Sequence, residues 1–181
     1  AYVKDMSVTS LLDAIVAKGS AVSGGDVLLV SHGTIEGLDL NLTKKSQVKL
    51  QGRALEALVE NASGGLGDFE TARILRTTVD ALSVLKEKMA KVRALSINRL
   101  ELRCCLLGDG PRYLDLTRVF FGASSACAPD VLNAIGAFTS KSQPTSNPKV
   151  WSAWLKGHPR ATVETLAPGR FAWWRPRAGG L

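Results

Sequence analysis

A histidine and a pair of cysteines each stand at the end of a short apolar run and are followed closely by glycine. His32 precedes Gly33, and the adjacent Cys104 and Cys105 are followed, after two leucines, by Gly108. A thiol beside an imidazole is the smallest group of side chains that can act as a cysteine nucleophile. The histidine is needed because it accepts and donates protons during the reaction. If the two runs lie side by side, the sequence predicts a Cys–His site where they end.

The elements that must position these residues are two strands joined by a crossover. Two short apolar runs, residues 27–30 and residues 99 to 104 or 105, predict buried strands of a parallel sheet covered on both faces. Apolar residues at helical spacing predict one long helix over residues 69–95, and such a crossover makes the two strands parallel neighbours. Sites in sheets of this kind form beyond the carboxyl ends of the strands. Because adjacent residues of a strand face opposite sides, only one of the two cysteines can reach a given site.

The remaining pattern predicts an α/β fold. It indicates a first helix capped by Thr9 or Ser10, a half-exposed strand at 37–42, helices at 48–60 and 113–121, and a short third strand at 124–129. The glycine-rich stretch at 61–68 lacks the lysine and hydroxyl ending of a phosphate-binding loop and predicts a flexible loop. Alternation of helices and strands favours a mainly parallel sheet with right-handed crossovers.

Composition narrows the classes of protein that this chain can be. A length of 181 residues with 45% hydrophobic and 22% charged residues suits one soluble domain. No apolar run approaches the roughly 20 residues that cross a bilayer, and the first residues lack the pattern of a signal peptide, so we expect no membrane association. The start without methionine suggests a fragment or a processed chain.

Cysteine and histidine usage indicates a reducing compartment and no metal centre. Three cysteines are too few for a disulfide framework, which favours the cytoplasm over secretion. Two histidines without a CxxC pair form no ligand cluster of recognisable spacing, so no cofactor is predicted. Cys127 is interpreted as a buried core thiol, and His158 as a turn residue.

The C-terminal stretch is basic and rich in tryptophan. We divide the chain into an α/β domain at 1–139, a linker at 140–148 and a tail at 149–181, where six of the residues are Lys or Arg and only Glu164 is acidic. The residues of this tail that could contact a partner are Trp151, Trp154, Trp173, Trp174, Arg175 and Arg177. They suit packing on the rest of the molecule or docking on a protein; binding of nucleic acid by stacking is the less favoured alternative.

The two strand endings resemble those of the caspase-like cysteine peptidases, the group that contains caspases, relatives of clostripain and gingipain, and separase. The resemblance rests on Ser31-His32-Gly33 and on Cys104-Cys105-Leu106-Leu107-Gly108, and it extends through Phe120-Phe121-Gly122 and Ala128-Pro129, where it is similar to the bacterial branch. It covers roughly residues 9 to 135. The implied fold is a three-layer sandwich with a mainly parallel sheet flanked by helices, here possibly lacking its first strand.

The resemblance also implies roles for single residues. Cys105 matches the nucleophile, His32 the general acid and base, and the amides of Gly33 and Cys105 the oxyanion donors. Cys104 stands where the family usually has a small residue, so it is kept as the alternative nucleophile. The specificity pocket has candidates only by proximity in sequence: Asp39, Asp109, Asp115 and Arg103.

Two functions follow as expectations. The first is a cytoplasmic, bacterial thiol protease domain that hydrolyses a protein substrate through a Cys–His dyad without a cofactor. The alternative is a non-catalytic caspase-like module that docks on a regulatory protein within a larger assembly through its Trp/Arg-rich tail.

Overall fold

The computed structural model describes residues 6–104, 107–129 and 171–174. They form a mixed α/β fold. The helices are α1 (Val8–Lys18), α2 (Gly52–Ala62), α3 (Asp68–Ile74), α4 (Val79–Arg93) and α5 (Pro111–Phe121). The strands are β1 (Asp26–Val30), β2 (Gly33–Thr34), β3 (Gly37–Asn41), β4 (Lys49–Gln51), β5 (Arg99–Arg103), β6 (Ser125–Pro129) and β7 (Phe171–Trp174). Single 3₁₀ turns occupy Gly19–Ala21 and Leu107–Asp109.

The main sheet brings the two predicted strands together. Its order is β1-β5-β6-β7, in which β1, β5 and β6 run parallel and β7 is antiparallel to β6. The β1–β5 register ends with Val30 opposite Arg103, so both strands finish at the same level. The prediction that the histidine and cysteine strands are parallel neighbours is confirmed.

The described helices cover one face of β1, and two apolar side chains on its other face are exposed. Leu29 packs into the core together with Leu100 and Leu102 of β5, whereas Leu28 and Val30 are 61% and 53% exposed. The expectation that an apolar run is buried on both faces is therefore wrong for β1. Four consecutive apolar residues mark a strand, but they do not reveal which face a neighbouring layer covers.

A small antiparallel sheet of β2, β3 and β4 leads into the crossover. The strand predicted at 37–42 is observed as β3. The helix predicted at 48–60 begins later, because residues 49–51 pair with β3 as β4 and helix α2 starts at Gly52. The first helix is capped by Ser7, whose hydroxyl accepts a hydrogen bond from the Ser10 amide, rather than by Thr9 or Ser10.

The predicted long helix over residues 69–95 is two helices. Helix α3 ends in a Schellman turn, in which the amides of Thr77 and Arg76 donate to the carbonyls of Ala72 and Arg73. Arg76 has a φ of 49°, the left-handed conformation that stops a helix. Thr78 then caps α4 by accepting from the Ala81 amide. The apolar spacing continues across this break, which is why periodicity alone merges the two helices.

Asp68 connects the helices of the crossover. Its carboxylate accepts hydrogen bonds from Lys86 of α4 at 2.6 Å and from Asn61 of α2 at 2.8 Å. These two contacts hold the pKa of Asp68 below its usual range. Lys88 and Lys91 on α4 also pair with Asp13 and Glu87. The basic face of α4 is therefore largely neutralised by neighbouring acids.

Within the part of the chain that the structure describes, every helix is too short or too polar to cross a bilayer.

Candidate active site

His32 lies directly after β1, in the link to β2, and its side chain is exposed. The backbone around it is held in place, because the His32 carbonyl accepts hydrogen bonds from the Asp39 amide at 2.9 Å and from the Ser31 hydroxyl at 2.9 Å. Its imidazole makes no hydrogen bond to the described residues. The ring is thus attached to a fixed backbone while both of its nitrogens stay open to solvent or substrate.

Cys104 lies at the end of β5 and contacts Gly33. A methyl group built on Gly33 would lie 2.9 Å from Cβ and 3.1 Å from Sγ of Cys104. Real side chains do not approach so closely, so only glycine allows the two strand ends to meet here. The structure therefore brings Gly33 and Cys104 together.

The Gly33 amide points away from the hairpin strand that pairs with it. Gly33 is opposite Leu38 in the β2–β3 ladder, next to the His32–Asp39 pair, which is hydrogen-bonded. Because hydrogen-bonded and non-hydrogen-bonded pairs alternate along an antiparallel ladder, the Gly33–Leu38 pair is of the second kind. The N–H of Gly33 therefore points away from β3 and donates no hydrogen bond to it.

Of the two adjacent cysteines, Cys104 is among the described residues and Cys105 is not. Cys104 is fully buried and belongs to the hydrophobic core, so its sulfur has the surroundings of a structural thiol. Cys105 lies outside the described residues, and so does Leu106. The predicted Cys127 is buried at 1% exposure in β6, which confirms its interpretation as a core thiol.

Two of the candidate specificity residues are already paired. Asp39 forms an ion pair with Lys49, and Asp115 receives the Arg118 guanidinium at 2.8 Å. Asp109 ends the 3₁₀ turn after the cysteines and is exposed. The side chain of Arg103 is outside the described part of the structure.

Sequence reasoning missed Gly110 as a structural support of this region. A methyl group on Gly110 would overlap the Ile35 carbonyl oxygen, so the β2–β3 turn packs directly against the start of α5. This contact joins the hairpin that follows His32 to the segment that follows the cysteines. The only sequence signal is the Gly110-Pro111 pair, which marks a turn but not its partner.

Two of the other predicted residues lie in β7, and the rest are outside the described residues. Trp173 and Trp174 are opposite Cys127 and Ala126 in the β6–β7 pair. Those outside the described residues are Trp151, Trp154, His158, Arg175 and Arg177. Among the described residues, no three metal-ligating side chains come together.

Comparison of the chain with models of protein families, with curated proteins and with solved structures finds no significant match.

Proposed function

We propose that this chain is a caspase-like cysteine peptidase domain that hydrolyses a peptide bond of a protein substrate. The observation that carries the proposal is the parallel pairing of β1 with β5, with Gly33 packed against Cys104 where both strands end. In the proposal, the residues that follow the two strands are neighbours along one edge of the sheet. In the proposal, the three-layer sandwich of the resemblance is the fold of this domain.

The proposed chemistry assigns one role to each residue. The Cys105 thiolate attacks the carbonyl carbon of the scissile bond, and the developing oxyanion accepts hydrogen bonds from the amides of Gly33 and Cys105. His32 gives a proton to the leaving amine, which departs as the C–N bond breaks and a thioester forms. A water molecule then attacks the thioester, and His32 takes its proton while the carboxylic acid and the thiolate are released.

Three features of the described residues support these roles. The outward direction of the Gly33 N–H suits a donor to an oxyanion, because β3 does not consume it. The exposure of His32 suits a group that must meet substrate. The complete burial of Cys104 disfavours it as the nucleophile and leaves Cys105 as the better candidate.

The test is the site and rate of thiol alkylation by iodoacetamide at neutral pH, located by mass spectrometry. We expect Cys105 to react at least about tenfold faster than in the denatured chain, and His32→Ala to remove most of that excess. Cleavage of unfolded casein should be lost in Cys105→Ala and His32→Ala and retained in the control Cys127→Ala. Cleavage that survives Cys105→Ala but not Cys104→Ala would move the nucleophile by one residue. Survival in both variants would end the proposal.

The second candidate is a non-catalytic caspase-like module that docks through its tail. The observation in its favour is the concentration of all four tryptophans and six basic residues in 149–181. Labelling of every cysteine no faster than in the denatured chain, with no casein cleavage, would favour this module. Binding of nucleic acid by the same tail would instead show affinity that falls steeply with salt.

A further inference from the structure

Strand β1 combines exposed apolar side chains with a backbone edge that no described strand pairs with. Leu28 and Val30 are 61% and 53% exposed, and they lie on the same face of the sheet because they are two residues apart. Leu29 between them is buried in the core. The proposed peptidase function assigns these residues no role, so an inference drawn from them does not depend on it.

The edge of β1 has none of the features that usually keep a sheet edge from pairing with another chain. Such edges are protected by lysine, by proline or by a bulge. Residues 27–31 contain no charged residue and no proline, and β1 pairs with β5 in unbroken register. The one charged residue of the strand, Asp26, forms an ion pair with Arg99 of its own chain at 2.9 Å. Two copies of this edge can therefore meet without placing like charges opposite each other.

The order of side chains along β1 is self-complementary. If a second copy of β1 lies antiparallel with Leu29 on the twofold axis, Leu28 of each copy is opposite Val30 of the other. Opposite residues of an antiparallel pair share a face, with Cβ atoms about 4.5–5.5 Å apart. The exposed side chains of the two copies then form one apolar cluster. A register centred on Leu28 would instead place Val30 opposite the Asp26 carboxylate, so the register centred on Leu29 gives the better match.

We propose that β1 is the contact surface for a second copy of this chain, which pairs antiparallel with it and joins the two main sheets. Stable dimers bury roughly 1,200–2,000 Å² of total surface, and two five-residue edges with two exposed apolar side chains each provide less. The net charge of +7 on each copy also opposes association. The dimer is therefore weak, with a dissociation constant on the order of 10–100 µM.

The test is sedimentation velocity of the whole chain at concentrations from about 2 to 200 µM. We expect the average sedimentation coefficient to rise from the monomer value toward the dimer value. Added salt should strengthen the dimer, because the contact is uncharged and salt screens the repulsion between two positive chains. A chain that stays monomeric over the whole range would overturn the proposal. Dissociation of the dimer by salt would overturn it as well, since it would show a contact made by opposite charges.

Val30→Lys should weaken dimerisation by at least about tenfold, because it places a charge from each copy within the apolar cluster. The matched control is Val84→Lys on helix α4: Val84 is 52% exposed, so the residue type, the exposure and the added charge are the same. The control should change the dissociation constant by less than about twofold. Equal weakening by the two variants would contradict the proposal. Unchanged melting temperatures show that both variants remain folded.

The register is tested by oxidative crosslinking of cysteine variants. A mixture of Leu28→Cys and Val30→Cys chains should form disulfide-linked dimers at least about fivefold faster than either variant alone, because only the mixed pair places the two Cβ atoms directly opposite each other. The parent chain gives the background from its own three cysteines. A mixture that crosslinks no faster than either variant alone, or no faster than the parent chain, would overturn the proposed pairing.

Discussion

At the scale of single residues, the contact that brings the candidate site together is Gly33 against Cys104. In the sequence alone, His32-Gly33 has the pattern of a turn. The structure shows why residue 33 is glycine: a side chain there would clash with Cys104. The Cys104 side chain lies so close to the Gly33 α-carbon that no room remains for a Cβ atom on residue 33. Glycine is required there for close approach, whatever the chemistry of the site.

Gly33→Ala is expected to lower the free energy of unfolding by about 1–3 kcal/mol, because its methyl group would overlap Cys104 and force the strand ends apart. Urea denaturation measures this loss. Gly25→Ala is the control: its methyl group would meet only ordinary contacts beginning at 3.6 Å, so it should change stability by about 0.5 kcal/mol or less.

The same contact can be isolated with a double variant. Cys104→Gly removes both Cβ and Sγ, the two atoms that a Gly33 methyl group would approach within 2.9 and 3.1 Å, so Gly33→Ala should cost less in that background than in the parent chain. Equal costs in the two backgrounds would contradict the packing explanation.

At the scale of elements, the crossover shows where periodicity fails. Apolar spacing continues through residues 69–95, yet helix α3 ends at Ile74 and α4 begins at Val79. The local stop consists of a left-handed arginine and a threonine cap. Arginine gives no stop signal by type, because it is usually a helix former. Thr78 does carry the signal of an N-cap residue, which marks the start of α4.

Arg76→Gly is expected to raise the free energy of unfolding by about 0.5–1 kcal/mol, because glycine adopts a φ of 49° without the Cβ strain. Chemical denaturation followed by circular dichroism measures this gain. Arg73→Gly is the contrasting variant: it places glycine inside the last turn of α3 and should lower stability by about 1 kcal/mol. A loss of stability in both variants would mean that Arg76 makes a contact worth more than its strain.

At the scale of the whole molecule, the two faces of the main sheet differ at β1: side chains on one face are buried and those on the other are exposed. The described helices pack against the face that carries Leu29, while Leu28 and Val30 are exposed on the other face. Among the described strands β1 is also at the edge of the sheet, a position where an exposed backbone edge and exposed apolar side chains together favour association.

Replacing Leu28 and Val30 together by threonine is expected to leave the fold intact and to change the free energy of unfolding by about 1 kcal/mol or less, because both sites are already exposed. The change should also reduce self-association, measured by size-exclusion chromatography at rising concentration. Leu29→Thr is the matched control on the covered face and should cost at least about 2 kcal/mol. A large loss from the double variant would show that the exposed face is buried in the protein in solution.

The sequence by itself determined the three parallel strands of the main sheet and their order along the chain, but not β4 or the break between α3 and α4. Short apolar runs, glycines and caps act locally, so they predict β1, β5, β6 and α5, and they predict that His32 and the cysteines follow two parallel strands. They also imply, by resemblance, the roles that the proposed function assigns.

Only the tertiary structure decided which residues meet and which faces are covered. The contacts of Gly33 with Cys104 and of Gly110 with Ile35 join residues far apart in the chain. Local propensity carries no information about such contacts, because they depend on how whole elements pack. The exposure of Leu28 and Val30 in β1 has the same cause: a strand's composition shows that it is apolar, and the neighbouring layers alone decide which of its residues are buried.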